Sequence, residues 1–437
     1  MNYPLNCYYI ASSHNTYLLG RQVAGESSIE GYKRALQRGC RCVEIDVWGD
    51  NDEPIVNHGL TFTKGSIKFE RVIEYLKENA FVATPYPLVL SLEINASSVA
   101  QKAVVRILKQ VLGRDMVTEQ LIEGAILPSP EKLKYKFIIK VKKTSPFQGL
   151  VETEDGSYTS TTTTSCDDSG SNSLSIRRST LNIIDSLSEL GVYMQGIKFR
   201  NFSLPESKLY NHCFSLSEKT INKMIKDEVK RTSLNKHNRK YFLRVYPSKF
   251  RLKSSNFNPI KYWELGVQMV ATNWQTYDLG QQINEAMFAN EGYVLKPEHL
   301  RKPIIRSSKY YSLEPPKPKN IQFRIEIISG HELPVMNPSV SFEIFGSDSV
   351  KASGKTSIVM DPVWNEIFNG EFTGYEDFSF LRFAVYSNLE KQDIYGLVVV
   401  KLDSIKSEYE KLYLNDQFGQ KTNSFLFVKM GYEVCND

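Results

Sequence analysis

Tyr8-Tyr9-Ile10-Ala11-Ser12-Ser13-His14-Asn15-Thr16-Tyr17-Leu18 (residues 8–18) joins a short apolar run to small residues, an imidazole and an oxygen-donor amide. The run predicts a strand over Tyr8–Ala11 and sets His14 and Asn15 at its C-terminal tip, where parallel α/β barrels keep their chemistry. Taken alone, a His-Asn pair after a strand reads as a loop pair. Its weight comes from what stands at the tips of the strands that follow.

Those strands are predicted over Val43–Val47, Pro54–Val56, Leu88–Ile94 and Phe137–Val141. Helical spacing of apolar residues marks Ser28–Gln37, Ile67–Asn79 and Val99–Leu112 between them. Alternating strands and helices imply a parallel sheet or barrel. Residues 144–180 break the pattern: 17 of these 37 residues are Ser or Thr, and acids outnumber Arg177 and Arg178. Such a segment buries too little apolar surface to order itself, so it reads as a disordered acidic insert. Alternation resumes with strands at Gly191–Phe199, Tyr241–Tyr246 and Gly266–Ala271 and one helix from Ser217 to Val229. Glu314-Pro315-Pro316-Lys317-Pro318-Lys319-Asn320 is a stiff boundary. Beyond it, short alternating runs without a long helix predict about eight strands of a β-sandwich over 321–437.

Charge divides the chain the same way. Residues 321–437 carry 10 Lys+Arg against 17 Asp+Glu, and residues 1–320 carry 44 against 32. A basic first part facing an acidic last part points to an anionic surface as partner of the first. The chain has no Arg-rich run or zinc-finger spacing, which argues against nucleic acid and for lipid. Six irregularly placed cysteines fit a reducing compartment, and no apolar run approaches the length of a membrane span.

The strand tips carry complementary chemistry. In Cys42-Val43-Glu44-Ile45-Asp46-Val47-Trp48, two carboxylates at i and i+2 share one face of a strand. Paired acids in a strand buried on both faces call for a cation. Glu93 is a third acid near the tip of Leu90-Ser91-Leu92-Glu93-Ile94. Three carboxylates and the Asn15 amide form an all-oxygen set of the kind Ca²⁺ accepts. His58, after Val56-Asn57, adds a second imidazole, enough for one to stabilise charge and one to donate a proton. Lys140, Lys142 and Arg244 supply phosphate-binding cations at further tips, and Tyr246 can cover a ring face.

In this order, Ser13–Leu18, Gly39–Trp48, His58-Gly59, Ser91–Glu93 and Lys140–Lys143 resemble the X half of the eukaryotic calcium-dependent phosphoinositide-specific phospholipases C of the delta-like type. Arg244–Pro247, Trp263 and Gly292–Pro297 are similar to the Y half, and residues 321–437 resemble a C2 domain. The resemblance implies a split (β/α)8 TIM-like barrel: X half 1–143, X/Y linker 144–180, Y half 181–314, then an all-β C2-type sandwich. It implies that Ca²⁺ is held by Asn15, Glu44, Asp46 and Glu93, and that Glu44 or Glu93 accepts the proton of the inositol 2-hydroxyl. His14 would stabilise charge on phosphorus and His58 would protonate the departing diacylglycerol oxygen. Lys140, Lys142, Ser215 and Arg244 would bind the ring phosphates while Tyr246 packs on the ring. Phosphatidylinositol 4,5-bisphosphate would pass through a cyclic phosphodiester to inositol 1,4,5-trisphosphate and diacylglycerol. Val23, Leu60, Phe62 and Phe250 match an apolar rim that dips into the bilayer. The implied location is cytoplasmic, peripheral at the inner face of the plasma membrane.

Three features depart from the family pattern. Ile94 replaces an Asn common beside the catalytic Glu. The C2-like loops Val335–Pro338 and Tyr386–Leu389 carry no acids, so this domain is expected to brace the barrel rather than act as a calcium switch. No pleckstrin-homology or EF-hand segment precedes Met1, as expected of a fragment or a short form. The rival reading is a catalytically silent phosphoinositide-binding scaffold, which the presence of both histidines and all four expected ligands disfavours. The acidic insert is further expected to restrain activity.

Overall fold

The computed structural model describes residues 1–59, 64–122, 126–143, 150–152, 158–160, 182–289, 291–301, 317–388, 393–405 and 409–435. Eight strands, β1 (Tyr8–Ser13), β2 (Cys42–Gly49), β3 (Leu88–Ala96), β4 (Phe137–Lys142), β5 (Met194–Ile197), β6 (His212–Ser217), β7 (Phe242–Tyr246) and β8 (Met269–Thr272), pair in parallel around a ring. The ring closes where Ser12 of β1 pairs with Cys42 of β2. The alternation of strands and helices left a parallel sheet or a barrel open, and this is the barrel that the resemblance implies. Every residue of β1 is buried, as a strand covered on both faces requires. A short strand, Tyr293–Leu295, adds antiparallel to β1.

Helices α1 (Ile29–Gln37), α2 (Phe69–Asn79) and α3 (Ser98–Leu112) lie where the apolar spacing predicts. Ser28 and Ser97 cap α1 and α3 by accepting backbone N–H groups, which fixes where those helices begin. The single helix expected from Ser217 to Val229 is instead two, α4 (Glu218–Ile225) and α5 (Glu228–Asn238). Asp227, extended between them, accepts from the N–H groups of Val229 and Lys230 and so starts a new helix. Strand β6 was not anticipated: in His212-Cys213-Phe214-Ser215-Leu216-Ser217 the histidine and two serines leave Phe214 and Leu216 as its large apolar residues. One last barrel helix is α6 (Leu279–Phe288).

Most of the expected insert lies outside the described residues, where only the backbone pair Leu150–Glu152 with Tyr158–Ser160 is described. Beyond it come eight antiparallel strands: β9 (Lys319–His331), β10 (Ser339–Phe345), β11 (Val350–Lys355), β12 (Val363–Gly374), β13 (Phe380–Ser387), β14 (Asp393–Lys401), β15 (Tyr409–Asn415) and β16 (Lys421–Cys435). Their order is β11-β10-β13-β14-β15-β16-β9-β12, and a lone pairing, Leu397 with Asn415, links the two halves of four. A sheet so divided folds as a sandwich over the alternating inward residues Ile321, Phe323, Ile325 and Ile327 and their counterparts.

The sandwich is seated on the barrel. Phe345, Phe378 and Phe380 belong to the barrel's apolar core rather than to their own. Trp263, wholly buried, packs on Phe380, Phe288 and Tyr9, and the Tyr9 hydroxyl donates to the Trp263 carbonyl. Asn415 donates to the Tyr277 hydroxyl at 2.8 Å across the same seam. Among the described residues, no helix is long and apolar enough to cross a membrane.

Candidate active site

The site is assembled where β1 leaves the barrel wall. The His14 N–H donates to the Thr272 carbonyl, and Asn15 then turns with φ 45°, a left-handed conformation that Asn tolerates better than most side chains. That turn aims the Asn15 N–H at Glu44 Oε2, 2.7 Å away. Period-two alternation holds Glu44 and Asp46 on one face of β2, and the register sets Glu44 beside Ser91 and Asp46 beside Glu93 on β3. Ser91 pairs in turn with Lys140 of β4, whose buried Nζ donates to the Ser91 hydroxyl. Ser215 of β6 pairs with Arg244 of β7.

Charge crosses the barrel interior through Arg244. Its Nη2 donates to Glu44 Oε2 at 2.9 Å and to the Ser13 carbonyl at 3.3 Å, with both side chains almost fully buried. Burial by itself would raise the pKa of Glu44, but the Arg244 guanidinium, then His14 and the Asn15 N–H, pull it down to about 2. Asp46 goes the other way. Burial, followed by the charges of Glu44 and Glu93, pushes its carboxyl well above the usual range. Glu93 lies between Lys140 Nζ (3.7 Å) and Lys142 Nζ (3.3 Å). The resemblance implied that Arg244 reads a ring phosphate; here it is engaged by Glu44, and its Nε and the Ser215 hydroxyl have no partner.

The two histidines are held differently. His14 Nδ1 lies 3.0 Å from Asn273 Oδ1, and burial lowers its pKa despite the opposing pull of Glu44. Its ring lies parallel to that of Tyr246, within 4°, at 6.2 Å between centroids. His58 Nδ1 lies 3.0 Å from the Tyr17 hydroxyl and 3.3 Å from Asn15 Nδ2, and the Tyr17 hydroxyl reaches Asp46 Oδ2 at 2.9 Å. Gly59 makes the His58 turn possible: its φ is 67°, and a Cβ there would stand 2.3 Å from the Trp48 ring. His14, Asn15, Glu44, Asp46, His58, Arg244 and Tyr246 are thus linked by hydrogen bonds and ring contacts, and Glu93, Lys140 and Lys142 form an ion-paired group set beside Asp46 by the strand register. Val23 and Phe250 are exposed, Phe250 by 69%. Leu60 and Phe62 lie outside the described residues.

Among the described residues, no three His, Cys, Asp or Glu side chains gather as a ready-made metal cluster, because each carboxylate is drawn to a neighbour of its own. The donor chemistry nonetheless suits a hard cation. Asp46 Oδ1 is buried without a partner, and the Asn15 side chain gives its Nδ2 to Gln22 Oε1, which leaves Oδ1 outside that bond. An unsatisfied buried oxygen beside clustered negative charge is what a divalent ion neutralises.

Three residues of the network were not anticipated as functional. Tyr17 stood in the opening segment without a role. Asn273 follows directly on the tip of β8, a position that could have flagged it. Gln22 has no local signal, being a lone amide in the loop after Leu18–Leu19.

Comparison with known proteins agrees with this geometry. Residues 1–143 match the family described as phosphatidylinositol-specific phospholipase C, X domain, residues 187–299 its Y domain, and residues 321–415 the C2 domain. The mouse protein 1-phosphatidylinositol 4,5-bisphosphate phosphodiesterase zeta-1 is 32% identical over 99% of this chain and 74% of its own length. The chain belongs to the phosphatidylinositol-specific phospholipase C family. A family member from Candida albicans, 1-phosphatidylinositol 4,5-bisphosphate phosphodiesterase 1, is 48% identical over 99% of this chain and 48% of its own length. The chain therefore spans about half of that relative. The crystal structure of S. officinalis PLC21 superposes with a TM-score of 0.83 at 28% identity, covering 100% of this chain and 56% of that one. X and Y halves thus enclose one barrel, and the residues between the two matches include the expected insert.

Proposed function

We propose that the chain hydrolyses phosphatidylinositol 4,5-bisphosphate, in a calcium-dependent reaction, to inositol 1,4,5-trisphosphate and diacylglycerol through a cyclic phosphodiester. The observation that carries this reading is the convergence of two histidines, three carboxylates and the lysine pair on one barrel rim, in a chain of this family. Asn15, Glu44, Asp46 and Glu93 would hold Ca²⁺, which makes the inositol 2-hydroxyl more acidic when bound. Glu44, held ionised by Arg244, binds protons weakly. Glu93, whose side chain is 26% exposed, is therefore the better proton acceptor as that hydroxyl attacks its own phosphate. His14, its Nδ1 proton held by Asn273 Oδ1, donates from Nε2 to the phosphoryl oxygens as the imidazolium, the form that the negative charge of the substrate favours. His58, backed by Tyr17 and Asp46, protonates the departing diacylglycerol oxygen. Water then opens the cyclic phosphate. Lys140, Lys142, Ser215 and Arg244 are assigned to the ring phosphates, and Tyr246 to the ring face.

Exposed Val23 and Phe250, with Leu60 and Phe62, are assigned to the membrane-dipping rim, and the chain is assigned a peripheral position at the cytoplasmic face of the plasma membrane, a reading supported by the C2 match. The seating of Phe378 and Phe380 in the barrel core supports a bracing role for the C2 domain. The test is a calcium titration of hydrolysis in vesicles containing the lipid, with His14→Ala as control. Absence of calcium-dependent release of soluble inositol phosphate refutes the enzyme reading in favour of a silent scaffold.

A further inference from the structure

Beneath His14 and Asn15 runs a chain of amides whose polarity is set at both ends by backbone carbonyls. At one end, the Ser254 hydroxyl donates to the Gly20 carbonyl at 2.7 Å, so its oxygen is left to accept. Gln22 therefore presents Nε2 to Ser254 Oγ at 2.9 Å, and its Oε1 must face the other way. Oε1 accepts from Asn15 Nδ2 at 2.8 Å, which turns Asn15 Oδ1 out of this chain. At the other end, Asn273 Nδ2 donates to the Ser255 carbonyl at 3.1 Å, which leaves Asn273 Oδ1 as the acceptor. It accepts from Gln22 Nε2 at 3.2 Å and stands 3.0 Å from His14 Nδ1. His14 must then carry its proton on Nδ1 and offer Nε2 to the site. The side chain of Gln22 is buried, and it meets no charged group in this network.

We infer that Gln22 is a positioning residue that sets two functional groups at once. It fixes the flip of the Asn15 amide so that an oxygen, not an NH2, is offered to the cation, and through Asn273 it keeps the Nδ1 proton of His14 in place. The inference rests on the calcium reading above. A reversed Asn15 amide would bring two N–H donors to a divalent ion, replacing attraction by repulsion. Groups that hydrogen-bond to metal ligands typically carry about 10–100-fold in metal affinity.

The test is isothermal titration of the full chain with Ca²⁺ alone, following the binding step that Asp46→Asn abolishes. Gln22→Met keeps the volume and loses the polarity, and is expected to raise the Kd of that step about 10–100-fold. Gln22→Glu retains an acceptor for Asn15 but loses the donor to Asn273. It is expected to keep calcium affinity close to wild type while lowering kcat. A merely structural role would move both variants alike. Ser254→Ala, which removes the anchor without altering Gln22, is expected to weaken calcium binding in the same direction and covers the case of a misfolded Gln22→Met. An unchanged Kd in folded Gln22→Met, or equal weakening in Gln22→Met and Gln22→Glu, overturns the role of Gln22. If the wild-type chain shows no step that Asp46→Asn removes, the calcium reading itself fails.

Discussion

Replacing Arg244 by Met should destabilise the metal-free protein by about 3–5 kcal/mol at pH 8, the usual cost of stranding one member of a buried ion pair. Arg244 Nη2 and Glu44 Oε2 are 2.9 Å apart, with side chains 2% and 6% exposed. With charge centres about 4 Å apart and an effective dielectric constant of about 20, the lost attraction is about 4 kcal/mol, which agrees with that range. The variant leaves Glu44 buried beside Asp46 with one hydrogen bond from the Asn15 N–H as its direct support. Acid should relieve it. Without the guanidinium, burial and the neighbouring carboxylates raise the folded-state pKa of Glu44 above its unfolded value of about 4.3, so the variant gains stability as pH falls through that raised pKa. In the wild type, the depressed pKa of Glu44 contributes stability above about pH 4.3 that is lost only as pH falls toward about 2. The gap between the two proteins should therefore narrow from pH 8 to pH 5. Urea unfolding in EDTA at both pH values measures it, and Glu44→Gln combined with Arg244→Met should recover part of the loss. A cost below about 1 kcal/mol, or one that is the same at both pH values, refutes the reasoning.

Other consequences are open to direct measurement. Burial lowers the pKa of His237 to about 3 and also lowers that of its neighbour His212, 2.7 Å away between Nε2 atoms. Because unfolded His takes up a proton near pH 6.5, stability present above that value should fall as pH drops from about 6.5 toward 3, and His237→Phe should flatten the slope between about pH 6.5 and 4.5. Trp263→Ala should cost about 3–5 kcal/mol in urea unfolding, since it opens a cavity between barrel and sandwich. Phe250→Ser should weaken binding to anionic vesicles about tenfold or more while leaving hydrolysis of a soluble inositol phosphodiester unchanged, in line with about 1.5–3 kcal/mol for burying a Phe. Equal loss in both assays would remove Phe250 from the membrane rim.

Much of this protein is legible in its sequence because strand and helix periods are local. The run Tyr8–Ala11, the same-face pair Glu44 and Asp46, and the alternation of Ile321, Phe323, Ile325 and Ile327 need only their neighbours to be read. The strand–helix alternation of an α/β fold, the sandwich and the types of residue at the strand tips are read in the same way. The split at Asp227 escaped because a single capping side chain interrupts a continuous helical pattern, and the strand His212–Ser217 because its histidine and two serines dilute the apolar run. Tertiary structure alone decided how the groups are paired. Arg244 finds Glu44 across 200 residues of chain, and Gln22 finds Asn273 across 251. Such bonds leave no periodic trace, since either partner satisfies the same local pattern wherever its mate lies. Which end of the Asn15 amide faces Gln22, which nitrogen of His14 meets Asn273, and which carboxylate stays ionised follow from those distant contacts.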